Sequence, residues 1–208
     1  DETICHRGEI CDRSTLLLDG FMLRTIEPDG ERHIVCIQVP GDFVDLHGYA
    51  LKRLDHNLVA TGKARIASVS HRELDRVMED MPHLARMLWF STLLDAAIHR
   101  EWILKMEQLN ADGRVAHLFA ELWHRLDFVG LADDDGYDLP LRQIDLADMC
   151  GTTAIHMNRI IGQLRKKGLV EFRRRHVTIP NRRKLEEFAR FSPDYLYGNG
   201  PFRVPDNY

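Results

Sequence analysis

The sequence predicts an α+β fold, with strands gathered at the front of the chain and helices behind them. Three observations predict it. The first ~80 residues hold short β-rich runs separated by turn signals. From Pro82 to about Gln108 there is no glycine, and apolar residues recur every three to four positions. Gln143–Leu164 then has the pattern of two short helices joined at a glycine, and two strand-like runs follow it.

Residues 1–81 read as a β-roll, jelly-roll-like, suited to a sensor domain. The runs 14–26, 32–39 and 57–69 are strand-like, and Glu27-Pro28-Asp29-Gly30 and Pro40-Gly41-Asp42 place Pro and Gly where turns need them. Ser70 to Asp80 reads as a short helix opened by a capping box of Ser70 with Glu73.

Residues 82–110 read as one long helix with Pro82 in its first turn. Leu84, Met87, Leu88, Leu94, Ala97, Ile98 and Trp102 form its stripe, with Trp89, Phe90 and Leu93 outside it. A helix apolar on more than one face needs more than one neighbour. Leu84, Met87, Leu94, Ile98 and Trp102 are therefore candidate contacts of a homodimer; a core helix buried in a monomer is the alternative.

Residues 111–190 read as a winged helix-turn-helix. Asn110-Ala111-Asp112-Gly113 marks a break, Arg114–Leu126 an amphipathic helix, and Asp133–Gly136 an acidic loop. In Gln143–Leu164, Ala147 permits close helix approach and Gly151 the turn, while Thr152 or Thr153 can cap the second helix. That helix would turn Thr153, His156, Asn158, Arg159 and Gln163 outward, groups able to read base edges of double-stranded DNA. Leu169–Phe172 and His176–Ile179 read as a β-wing tipped by Arg173, Arg174 and Arg175, suited to phosphate. An ordinary helical hairpin and a solvated charge run are the alternatives. Charge favours DNA: Arg142 to Arg190 holds twelve Lys/Arg against five Asp/Glu, a net +7, which leaves −11 for the remainder of a chain of net −4. The tail, 191–208, carries Phe191, Tyr195, Tyr197, Phe202 and Tyr208 without period.

Composition bounds the remaining classes. The chain is 44% hydrophobic and 29% charged, with no run of 18 apolar residues, so no membrane span is expected and the cytoplasm is the expected compartment. The first residues lack the apolar core of a signal peptide and start within a strand, so the native start is expected upstream. Cys5, Cys11, Cys36 and Cys150 are scattered and lack iron–sulfur spacing; Cys150, at the helix-turn-helix joint, reads as a packed thiol or a redox switch. Eleven histidines invite a haem or metal reading, but neither His117 with His124 nor His47 with His56 has a recognisable ligand set, and no cofactor is assigned. No GxGxxG, P-loop, GxSxG or HExxH is present, and no enzyme is expected.

A β-roll, a long helix and a C-terminal winged helix-turn-helix, in that order, resemble the Crp/Fnr family of bacterial transcription regulators. Gly8-Glu9 and Pro40-Gly41-Asp42-Phe43 stand where that family has roll turns, Asp112–Ala116 at its hinge, and His156-Met157-Asn158-Arg159 looks like the HxNR signature of one branch. The resemblance implies a homodimer on a palindromic operator, contact with RNA polymerase, a possible small-molecule effector, and Arg159 as the base-reading arginine. A Glu usual near the start of that helix is here Ile155. In the stretch Gly41–Gly62, Val44-Asp45-Leu46 and Leu54-Asp55-His56 replace the family's phosphate-binding segments, and His99 and Arg100 stand where cAMP-responsive members place base contacts. Asp45, His56, His99 and Arg100 are thus candidate effector-pocket residues, and ordinary cAMP binding is not expected. A sensor acting mainly through protein contacts, or a regulator gated by haem, redox or another ligand, is the alternative.

Overall fold

A computed structural model describes residues 1–198. Phe202 and Tyr208 of the tail lie outside the described residues. The chain divides into two compact units, Asp1–Ala96 and Ala97–Tyr208.

The first unit is built on four strands: β1 (Glu2–Cys5), β2 (Arg13–Ile26), β3 (His33–Gln38) and β4 (Asn57–Ser70). They form one antiparallel sheet in the order β1-β4-β2-β3. The two long strands pair from Arg13↔Ser70 to Thr25↔Asn57, with the register breaking around Asp19. Gly20 sits at that break with φ +82°, and a Cβ there would strike the Lys63 carbonyl, so the bulge requires glycine. Leu17, Met22, Val44, Leu54, Leu58 and Cys11 form the core. Short helix α1 (Gly48–Leu51) interrupts the loop before β4, which the sequence did not signal. Helix α2 (His71–Asp80) starts as expected: Ser70 Oγ accepts from Glu73 N–H, and the Glu73 carboxylate accepts from Ser70 N–H at 3.0 Å. Leu74 of α2 joins Leu46 and Leu88 in a second apolar cluster.

Helix α3 (Pro82–Gln108) runs about 40 Å, at 1.5 Å per residue. The boundary between the units falls inside it. No helix of the described residues is long and apolar enough to cross a membrane.

In the second unit, α4 (Ala111–Asp127) begins three residues earlier than the sequence pattern indicated. The expected break is narrower because Asn110 is not part of a loose hinge. It caps the helix, its Oδ1 accepting from Gly113 N–H at 3.1 Å. Helix α4 is buried almost all round and includes Glu121, which is fully buried. The Glu121 carboxylate accepts from Trp102 Nε1 at 3.0 Å and Tyr195 Oη at 2.7 Å, and Arg125 lies 3.4 Å away. After α4 come β5 (Gly136–Asp138), α5 (Gln143–Met149), α6 (Ala154–Lys166), β6 (Glu171–Arg173), β7 (His176–Thr178) and α7 (Arg182–Ala189). The three strands form an antiparallel sheet in the order β5-β7-β6. The wing therefore has a third strand, hidden in the sequence behind the acidic loop. A 3-10 turn at Pro193–Leu196 carries Tyr195 back to Glu121.

Candidate nucleic-acid interface

Helices α5 and α6 meet at a tight joint. Ala147 is buried beneath it, and Gly151 takes φ +59°. Arg114 secures the joint from α4, with Nε donating to the Cys150 carbonyl and Nη1 to the Leu109 carbonyl, each at 2.9 Å. Arg142 and Asp145 clamp the start of α5 through a two-pronged ion pair at 2.9 and 3.0 Å. Cys150 is wholly buried, and burial pushes its thiol up to about 11. A thiol held protonated in the interior packs and does not readily form the reactive thiolate, which favours packing over a redox switch.

Helix α6 has two faces. Met157, Ile160, Ile161 and Leu164 are buried, which fixes the helix on the unit. Thr153, Asn158, Arg159 and Gln163 are exposed, while Thr152 and His156 are half-buried. Thr153 is the N-cap, its Oγ1 accepting from His156 N–H at 3.2 Å. Arg159 Nη2 donates to His156 Nδ1 at 2.5 Å, which makes that nitrogen the acceptor and sets the guanidinium on the exposed face. Sequence reasoning placed both residues outward but did not show that one orients the other. Ile155, noted from sequence only as standing where the resembled family usually has a Glu, is 87% exposed at the start of the same face.

The wing tip is a two-residue turn. Arg174 and Arg175 both lie in the left-handed region, at φ +51° and +66°. A hairpin turn of this kind favours Asn-Gly. All three wing arginines are exposed, and Arg173 pairs with Glu171 at 2.7 Å. An exposed pair of this kind is worth little and yields readily to a phosphate.

The expected dimer residues divide. Leu84 and Met87 are exposed and Leu94 is half-buried. Ile98 and Trp102 are only 5% and 8% exposed within a single chain, and the Trp102 indole is bound to Glu121. They have almost no surface left for a partner, which corrects their assignment. The exposed apolar stripe runs instead through Trp89, Leu93 and Ile103, which are 67%, 52% and 70% exposed, with half-buried Ala96 and exposed Arg100 between them. The spacing of four, three, four and three is that of a coiled-coil seam.

The effector-pocket candidates also find individual settings. Asp45 is buried, with its carboxylate accepting from Thr15 N–H at 2.5 Å, and burial raises its pKa despite that bond. It therefore serves the strand backbone. His56 is buried, with Nδ1 bonded to Asp55 Oδ1 at 2.8 Å. Burial lowers the pKa of His56, and burial with nearby Arg24 lowers that of His47 to about 4. His99 is half-buried on α3, and Arg100 lies on its exposed seam. The roll's buried cation, missed from sequence, is Arg24. Its guanidinium bonds Asp95 at 2.7 and 2.9 Å and the Val44 carbonyl at 2.8 and 3.1 Å.

Residues 113–188, which contain the joint, α6 and the wing, match the family described as a Crp-like helix-turn-helix domain. The chain is 28% identical over 196 residues to the transcriptional activator protein FnrL of Cereibacter sphaeroides, covering 90% of this chain and 77% of that protein. It is 24% identical over 189 residues to the nitrogen fixation regulation protein FixK of Bradyrhizobium diazoefficiens, covering 90% and 78%. The structure of FixK2 from Bradyrhizobium japonicum superposes with a TM-score of 0.81 at 24% identity, over 90% of this chain and 92% of that one. Residues 113–188 are thus a Crp-like helix-turn-helix domain, and the whole chain is similar to transcription regulators of the Crp/Fnr type. Helices α5 and α6 lie within that matched helix-turn-helix region.

Proposed function

We propose that this chain is a Crp/Fnr-type regulator that binds a palindromic operator as a homodimer and does so without the usual cAMP contacts. The observation that carries the DNA-reading part is the outward face of α6, where Arg159 is oriented by His156 beside exposed Asn158. Arg159 suits the O6 and N7 of guanine, Asn158 suits adenine, and the exposed Ile155 fits a thymine methyl. Thr152, Thr153 and Gln163 flank them, and Arg173, Arg174 and Arg175 contact phosphate. The seam of Trp89, Leu93 and Ile103 pairs two copies, so that two α6 helices address two half-sites. Asp45 committed to the backbone and an exposed Asp55 both disfavour a cyclic phosphate in the roll. The curated relatives include named activators, which supports contact with RNA polymerase once the dimer is on DNA, in the cytoplasm.

Selection from a randomised DNA library with and without cAMP tests this. An inverted repeat recovered equally under both conditions is the expected result. A repeat recovered only with cAMP overturns the nucleotide-independent reading, and a single unrepeated half-site overturns the dimer.

A further inference from the structure

The roll brings His47 and His56, a pair without a recognisable ligand set in the sequence, together with Asp55. His47 is the residue before α1, and His56 is the last residue before β4. The intervening loop folds back so that their ring centroids lie 5.2 Å apart, with the planes at 43°. One ligand atom from each of His47, Asp55 and His56 lies within 4.8 Å of the others. Two imidazoles on one tetrahedral ion, with metal–nitrogen bonds of about 2.0–2.1 Å, hold their centroids roughly 5 Å apart.

The hydrogen bonding of His56 points the same way. Its Nδ1 is held by the Asp55 carboxylate at 2.8 Å. Its Nε2 is buried and has no hydrogen-bond partner among the described residues. A buried polar nitrogen without a partner carries an uncompensated desolvation cost. An imidazole held by a carboxylate at one nitrogen, with the other nitrogen left over, is how metal sites orient their ligands. The neighbouring Arg24 does not oppose a cation with a full charge, because Asp95 binds it at 2.7 Å. Asp55 is exposed and His47 half-buried, so the cluster is reached from solvent on that side.

We propose that His47 and His56 bind one divalent transition ion of the zinc class. Asp55 orients His56 and supplies local negative charge, and water completes the shell. Imidazole ligation of this kind suits zinc, cobalt, nickel and copper and excludes calcium or magnesium. The ion would tie the α1 loop to the start of β4. The proposal does not depend on DNA binding.

The test is a titration of the metal-free full chain with cobalt(II), read by its visible d–d absorption, followed by displacement with zinc. One ion per chain is expected. His47→Gln should weaken binding more than about tenfold and Asp55→Asn about 10–100-fold, as loss of a ligand and of an orienting carboxylate do. His83→Gln, an exposed histidine at the start of α3, should change nothing. Zinc should also raise the melting temperature of the wild type and leave that of His47→Gln unmoved. Equal affinity in wild type and His47→Gln, or no saturable site in the wild type, overturns the proposal. The half-buried His47 carries the test should the buried His56 variant fail to fold.

Discussion

At the level of single residues, the proposed reading of DNA rests on Arg159 and its partner. Arg159→Ala should cost ~1–3 kcal/mol at one operator position and leave random DNA almost unaffected. Equal loss on operator and random sequence, measured by fluorescence anisotropy, would remove Arg159 from base recognition. His156→Ala should give a smaller loss at the same position, because it frees the guanidinium without deleting it. The wing tip makes the opposite kind of prediction. Two arginines in the left-handed region strain the turn, so Arg174→Asn with Arg175→Gly should raise stability by roughly 1 kcal/mol while weakening DNA binding evenly across sequences. A urea midpoint that falls would show the turn to be unstrained. Outward-facing charge at these positions was legible from sequence, because the period of α6 and the run of three arginines are local signals. The His156–Arg159 bond and the buried partners of Glu121 were not, because side-chain pairing depends on rotamers and on distant segments.

Among the elements, α3 shows where sequence periodicity stops. Its start was readable to the residue and its end to within about two, since Pro82 opens it and no glycine interrupts it. Which of its apolar faces meets a partner was not readable, because hydrophobic residues occupy most of its circumference. On the proposed seam, Leu93→Asp should therefore convert the dimer to monomer with the fold intact. Ile98→Asp should lower thermal stability sharply, by burying an unpaired charge in the chain itself. Light scattering and circular dichroism together separate these outcomes; a dimer that survives Leu93→Asp sinks the seam. Strand β5 was missed for a related reason. Three residues, Gly136 to Asp138, carry no period of their own, and they become a strand only by pairing with β7.

For the whole molecule, electrostatics divides the labour. The net +7 of Arg142–Arg190 against −11 elsewhere predicts steep loss of affinity with salt, and removing the three wing arginines should flatten that slope. Stability carries its own pH signature. Burial alone would raise the Glu121 pKa, but Lys105, Arg125 and His117 outweigh it and hold the carboxyl below its usual range. A depressed folded-state pKa stabilises above the unfolded value and is lost as pH falls through the folded one. Acid unfolding should therefore lose part of its pH dependence in Glu121→Gln. That variant should also be less stable at neutral pH by about 3–5 kcal/mol, since it leaves buried cations uncompensated. An unchanged acid midpoint would show that the carboxyl titrates normally.

The two-faced construction of α6 has a consequence for how such a protein can change over time. Met157, Ile160, Ile161 and Leu164 anchor the helix, while Ile155, Asn158, Arg159 and Gln163 are exposed and free, on the proposed function, to face DNA. Address and architecture are thus written in different letters of one short word. A lineage could drift to new promoters, or an engineer could rewire a gene circuit, by respelling the outer letters alone.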